Sequence, residues 1–100
     1  MKKTTSRCNR PLESEVQGMI AHALKMAGFT VTRSTATKPG DPDLWATRGD
    51  LRLAIEIKRD AKTRIGLWQA KRLVELRKKG YIADVVFGYA DFESKFGKYL

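Results

Sequence analysis

The run Leu51-Arg-Leu-Ala-Ile-Glu-Ile-Lys58 has apolar residues at every second position, and a shorter run, Asp43-Leu-Trp-Ala-Thr47, precedes it across Arg48-Gly-Asp50. Only extended chain has a side-chain period of two, and two such runs joined by a tight glycine-containing turn form a hairpin. Leu51, Leu53, Ile55 and Ile57 fall on one face, and Arg52, Ala54, Glu56 and Lys58 on the other. With Arg48-Gly49 as the turn, Asp43 faces Ala54; with Gly49-Asp50 as the turn, Asp43 faces Glu56. Directly opposed residues share a face, so either two-residue turn puts Asp43 on the side of Glu56 and Lys58. A three-residue turn with a bulge would break that parity. Leu44 and Ala46 join the apolar face, which leaves two acids and a lysine gathered on the reverse of a core-forming hairpin.

The rest of the chain supplies the layers that such a hairpin needs. Pro11 suits the first turn of a helix, and Glu13 to Ala27 carries an apolar stripe of Val16, Ile20, Ala23, Leu24 and Ala27, with Gly28 as its stop. Residues 29–33 alternate as a strand, and residues 34–41 form a loop rich in Ser, Thr, Gly and Pro. From Thr63 to Lys79 the helical period returns, with Leu67, Ala70, Leu73, Val74 and Leu76 inward and Gly80 at the C-terminal cap. Ile82, Val85, Val86 and Phe87 mark a buried strand within residues 81–89, and the last ten residues form a short helix or a docking tail. The expected order is α-β-β-β-α-β, a mixed α/β fold, with residues 1–10 a basic arm and residues 11–100 a single domain.

Charge narrows the partners. The chain carries 20 Lys and Arg against 11 Asp and Glu, a net charge of +9, as expected of a protein that meets polyanions. The excess concentrates after the hairpin, where Arg59, Lys62, Arg64, Lys71 and Arg72 are the candidate DNA contacts, followed by Arg77, Lys78 and Lys79. Core-type residues interrupt these cations at helical spacing, unlike a lipid-binding helix. No apolar run approaches the roughly 18 residues of a membrane span, and the basic N-terminus lacks the apolar stretch of a signal peptide. Cys8 is the single cysteine and has no disulfide partner, so a cytoplasmic location is expected. His22 reads as a surface residue of the first helix, Arg48-Gly-Asp50 as turn chemistry, and Trp68 as packing. Trp45 lies on the acidic face of the hairpin, open to stacking on a base or to packing under the first helix.

An acid-x-Lys triplet alone is common on solvent-facing strands. Here it is joined by Pro42-Asp43 a hairpin's length upstream and by a basic segment downstream. Two carboxylates a few ångströms apart raise each other's pKa unless a cation joins them. Hard oxygen ligands suit Mg²⁺ or Mn²⁺, which keep waters and bridge to phosphate, and a lysine beside them adds positive charge where phosphoryl transfer builds negative charge.

Gly40-Asp-Pro-Asp-Leu44, Ile55-Glu-Ile-Lys58 and Gln69 in a following helix together resemble the PD-(D/E)xK nuclease superfamily, and within it the VRR-NUC family of virus-type replication-repair nucleases. The resemblance covers residues 12–87 and implies a restriction-endonuclease-like core, a mixed sheet flanked by helices. It implies a divalent metal, Mg²⁺ or Mn²⁺, held by Asp43, Glu56 and the Ile57 carbonyl, with Lys58 as catalytic lysine and Gln69 bordering the site. It also implies a glutamate from the first helix. Glu15 is the choice and Glu13 the alternative; about 200° of helical rotation separates them, so only one can face the site. The implied function is endonuclease cleavage of branched DNA such as four-way junctions by a homodimer, leaving 5′-phosphate ends. A non-catalytic nucleic-acid-binding module of the same fold is the alternative. Candidate dimer surface is Val85-Val-Phe87 with Phe92, Phe96, Tyr99 and Leu100, residues that could equally close the monomer's own core.

Overall fold

In a computed structural model, whose described residues are 12–34 and 40–100, the hairpin closes on Gly49-Asp50. Strand β2 (Leu44–Arg48) pairs antiparallel with β3 (Leu51–Lys58), with Arg48 opposite Leu51 and Leu44 opposite Ile55. Gly49 has φ +61°, the left-handed conformation that a tight hairpin turn requires. Strand β1 (Thr30–Arg33) adds antiparallel to β2, and β4 (Ile82–Phe87) adds parallel to β3, giving the mixed sheet order β1-β2-β3-β4.

Helices cover both faces. On one, α1 (Glu13–Met26) and α3 (Tyr89–Phe96) bury Val16, Ile20, Leu24, Phe92 and Phe96 against Leu44, Ala46, Leu53, Ile55, Ile57 and Val86. On the other, α2 (Leu67–Lys78) sets Leu73 and Leu76 on Ala54 and Ala83, with Trp45, Ile65, Tyr81 and Val85 around them. The hairpin face assigned to polar chemistry is therefore a second core, and Ala54 is fully buried in it. No helix of the described residues is long and apolar enough to cross a membrane.

Several sequence expectations change. The second helix starts at Leu67 rather than Thr63, because Asp60 folds the preceding segment into a turn: its Oδ1 accepts from the Lys62 amide at 3.0 Å and its carbonyl from the Thr63 amide at 3.1 Å. Leu67 and Val74 point outward, 68% and 47% exposed, so only Leu73 and Leu76 form the inner stripe. Trp68 is exposed and not packed. Trp45 packs edge-on to Tyr81 beneath α2, not under α1. The tail is α3 followed by a short 3₁₀ turn (Gly97–Tyr99), and the burial of Phe92 and Phe96 assigns them to the monomer's own core. Pro11, Cys8 and the arm lie outside the described residues.

Two arginines tie the hairpin to the helices. Arg48 donates to the Ala27 carbonyl at 2.6 Å and lies over the Phe29 ring, while Arg52 donates to the Lys79 carbonyl at 2.6 Å and lies over Tyr81. Each places a cation at a helix C-terminus, where unpaired carbonyls and the helix dipole favour it.

The outer edge of β4 is closed by side chains. Arg77 Nε donates to the Ala83 carbonyl and Lys95 Nζ to the Val85 carbonyl, both at 2.7 Å. Asp84 Oδ1 accepts from the Val85 amide at 2.8 Å, and Asp91 Oδ2 from the Phe87 amide at 2.9 Å. Edge groups that could pair with another strand are already bonded.

The loop before β2 is pressed against the start of α2. Gly40 has φ +85°, and a Cβ there would lie 2.5 Å from the Trp68 carbonyl oxygen. Arg72 Nε donates to Asp41 Oδ1 at 2.8 Å across the same contact. Gly40→Ala therefore combines left-handed strain with a backbone clash and is expected to cost about 2–4 kcal/mol, against about 1 kcal/mol for Gly49→Ala, where a Cβ meets open space. Urea midpoints for the two variants check this; equal losses would remove the close approach as the cause.

Candidate active site

The ladder between β2 and β3 ends at Leu44 opposite Ile55, and Asp43 continues it by other means. Its amide donates to the Ile55 carbonyl at 3.0 Å, and its Oδ2 accepts from the Ile57 amide at 2.8 Å. Pro42, buried beside it, suits the extended entry to the strand. The carboxylate thus takes the place of a strand carbonyl, so its position is fixed by backbone and not by rotamer preference alone.

Glu56 is 2% exposed, and it is the buried charged residue of the described chain. Its Oε2 accepts from Gln69 Nε2 at 2.7 Å and lies 3.3 Å from Lys58 Nζ. Its Oε1 is buried with no hydrogen-bond partner among the described residues. A buried carboxylate oxygen left bare is expensive, and its neighbours explain what it lacks. Burial and then the charge of Asp43 push the Glu56 pKa from its ordinary 4.5 up to about 7, with the Lys58 charge and hydrogen bond opposing them. Asp43 is also raised, by burial first, against the lowering effect of the Ile57 amide and Lys58. Two crowded carboxylates, each favouring a proton for want of a cation, with one bare oxygen between fixed partners, fit a hard divalent ion that keeps some of its waters.

Gln69 serves two elements with one amide. Its Oε1 accepts from the Gly66 amide at 2.8 Å, a reach back across the first turn of α2, while its Nε2 holds Glu56. The residue that starts the helix therefore also aims the carboxylate.

The two glutamates at the start of α1 are placed differently. Glu15 is exposed, and its Oε1 accepts from the Leu12 amide at 2.8 Å, which caps the first turn of its own helix. The negative charge felt at Glu56 from α1 is that of Glu13. No group of three or more His, Cys, Asp or Glu side chains is arranged as a metal cage among the described residues.

The candidate DNA contacts divide. Lys62, Arg64 and Lys71 are exposed beyond the site, and Arg59 is half-exposed beside Asp60. Arg72 is placed differently: its side chain is 17% exposed and bonded to Asp41 and Glu75. Arg77 is likewise engaged with the Ala83 carbonyl and Asp84. The Asp41–Arg72 pair joins residues 31 apart in sequence, so no local pattern announces it. His22 is exposed on α1.

A family model described as archaeal Holliday junction resolvase (hjc) matches residues 13–83, a span from Glu13 through Asp43, Glu56, Lys58 and Gln69 into β4. Among solved structures, one titled "VRR_NUC domain" superposes with a TM-score of 0.75 at 25% identity, covering 88% of this chain and 97% of that one. A second, "VRR_NUC domain protein", has a TM-score of 0.75 at 28% identity and covers 90% of this chain and 88% of its own. No curated protein matches the chain in sequence.

The pKa of Glu56 carries a stability signature. A carboxyl whose folded pKa lies above its unfolded value binds its proton more tightly when folded, so stability falls as pH rises between the two values. For Glu56 that window runs from the ordinary 4.5 to about 7, and the loss in metal-free protein is on the order of 3 kcal/mol, with Asp43 acting in the same direction. Melting temperatures from pH 4.5 to 8 should decline in wild type and flatten in Glu56→Gln. An identical decline in both would assign the effect elsewhere.

Proposed function

The chain belongs to the archaeal Holliday junction resolvase family, and on that premise we propose that it is a metal-dependent DNA endonuclease acting on branched DNA such as four-way junctions. The observation that carries this reading is the bare, buried Glu56 Oε1 beside Asp43 and Lys58. A module that only bound DNA would gain nothing from an uncompensated carboxylate in its interior.

A divalent ion, Mg²⁺ or Mn²⁺, held by Asp43, Glu56 and the Ile57 carbonyl, would polarise the scissile phosphate and lower the pKa of the attacking water. The protein's own groups prepare that event. The Ile57 amide fixes Asp43 Oδ2, and Gln69 fixes Glu56 Oε2, which leaves Glu56 Oε1 for the ion. Lys58 Nζ, 3.3 Å from Glu56 and only 14% exposed, is a desolvated cation beside the reaction centre. Its role is to orient the attacking oxygen and offset the negative charge that grows on the phosphate. Attack of water on phosphorus and departure of the 3′-oxygen leave a 5′-phosphate. Lys62, Arg64 and Lys71 offer phosphate contacts that hold the duplex arms without reading sequence.

A twofold dimer belongs to the same proposal, since two sites related by symmetry suit a junction with matching symmetry. Closure of the β4 edge and burial of Phe92 and Phe96 turn attention to α1, where exposed Leu12, Met19 and Met26 recur at a spacing of seven.

Asp43→Ala and Glu56→Ala are expected to abolish both Mn²⁺ binding by calorimetry and cleavage. Lys58→Ala should keep metal and DNA binding while lowering kcat by at least about 100-fold, as for an interaction made mainly in the transition state. Cutting should stop in EDTA. Cleavage undiminished in excess EDTA, or Lys58→Ala at the wild-type rate, would refute the assignment.

Charge-neutralising Lys62, Arg64 and Lys71 together should flatten the dependence of log K on log salt by roughly 0.9 for each phosphate no longer neutralised. Arg72→Gln should instead lower stability and leave the salt slope alone. Filter binding of a junction from about 50 to 200 mM salt distinguishes them; a slope change in Arg72→Gln alone would reverse the roles.

A further inference from the structure

We infer that Trp68 is a stacking platform for an unpaired or unstacked base of the DNA substrate, placed at the rim of the active site by the same turn of helix that carries Gln69. The inference rests on the nuclease reading for the identity of the substrate and on independent observations for the surface.

Trp68 is 66% exposed, and its neighbour Leu67 is 68% exposed, at the first turn of α2. Large apolar side chains bury about 150–250 Å² when covered, so leaving an indole in water forfeits a stabilisation that the fold uses elsewhere for Trp45, set edge-on against Tyr81. The main chain of Trp68 is packed closely against the loop that leads to Asp43. Its carbonyl is the group against which Gly40 is pressed, three residues before Asp43, and the next residue, Gln69, bonds Glu56 at 2.7 Å. The indole therefore projects from a fixed point between the two motif segments of the site, not from a loose loop.

Charge selects the occupant. Lys71 Nζ lies 5.4 Å from the centre of the Trp68 ring, and Lys71, Lys62 and Arg64 are all exposed. The exposed face of α2 continues as Lys71, Val74, Glu75 and Lys78, with Glu75 paired to Arg72. A second copy of this chain docked here about a twofold axis would set this net-positive face against the same net-positive face, a like-charge contact that opposes association. A nucleotide satisfies both features: its base offers a flat π surface to the ring, and its phosphate meets the lysine. A fully paired duplex keeps its bases stacked on each other, whereas a branch point offers one that can leave the stack. Trp68 would thus favour branched over plain DNA, at a residue that touches neither the metal ligands nor Lys58.

The test is fluorescence in EDTA, where nothing is cut, using a four-way junction and a duplex of equal length and composition. At saturation the junction should quench tryptophan emission in the wild type, the duplex should quench it several-fold less, and the difference should vanish in Trp68→Phe. Stacking is worth about 1–3 kcal/mol per base, so Trp68→Ala should weaken junction binding by about 5- to 150-fold while duplex affinity stays within about 2-fold. Trp68→Phe should retain most of the junction affinity. Equal quenching by both DNAs, no quenching at saturation, or equal losses of affinity for both would overturn the inference. So would sedimentation showing that Trp68→Ala changes the oligomeric state, which would mean that a second copy covers the ring. Quenching as expected with no cleavage on adding Mn²⁺ would instead sink the nuclease reading and leave the base platform standing.

Discussion

Everything at the working end of this fold is arranged around a carboxylate that burial leaves half-satisfied. Glu56 sits at the end of β3 between two cores, and one of its oxygens is bound by Gln69 and Lys58 while the other has no partner among the described residues. In an ordinary core such a group would be replaced by an apolar residue of similar size at little cost. Here the surrounding elements hold it in place: the strand ladder aims Asp43 beside it, and α2 begins where Gln69 can reach it. The resulting electrostatic tension is stored in the raised pKa values of both acids.

The hairpin was legible because its information is local. A period of two, a glycine in a tight turn and the parity of paired residues are enough to bring Asp43, Glu56 and Lys58 to one face, and the observed register is one of the two that parity allowed. The element order follows for the same reason, save for α3, whose eight residues fall where a docking tail was an equal reading. What stayed hidden depends on tertiary contact. Helical periodicity could not say that Leu67 and Val74 would face water, because the α2 footprint on the sheet is small, set by Ala54 and Ala83. Nor could it choose between Glu13 and Glu15, which differ in whether the side chain turns back to cap its own helix or lies where its charge reaches the sheet.

Charge was the least transparent property. A surplus of nine cationic charges suggests a uniformly basic DNA-binding surface, yet Arg48, Arg52, Arg72, Arg77 and Lys95 are engaged in joining helices, hairpin and loop. Arginine suits this work because its fork can bond a carbonyl while its plane lies on an aromatic ring, as Arg48 and Arg52 both do. Lys62, Arg64 and Lys71 stay open to solvent, Lys71 with its Nζ 5.4 Å from the centre of the Trp68 ring.

Proteins that gather on a polyanion reach local concentrations far above those in free solution, which is the circumstance in which open sheet edges become hazardous. The sheet of this chain has two edges. Along β4, two basic and two acidic side chains occupy the outward amides and carbonyls from Ala83 to Phe87, so an incoming strand would have to displace four charge-assisted bonds to pair there. At the opposite edge β1 offers only four residues, Thr30 to Arg33, three of them exposed. Crowding along DNA can therefore bring many copies together without offering them a long template on which to polymerise.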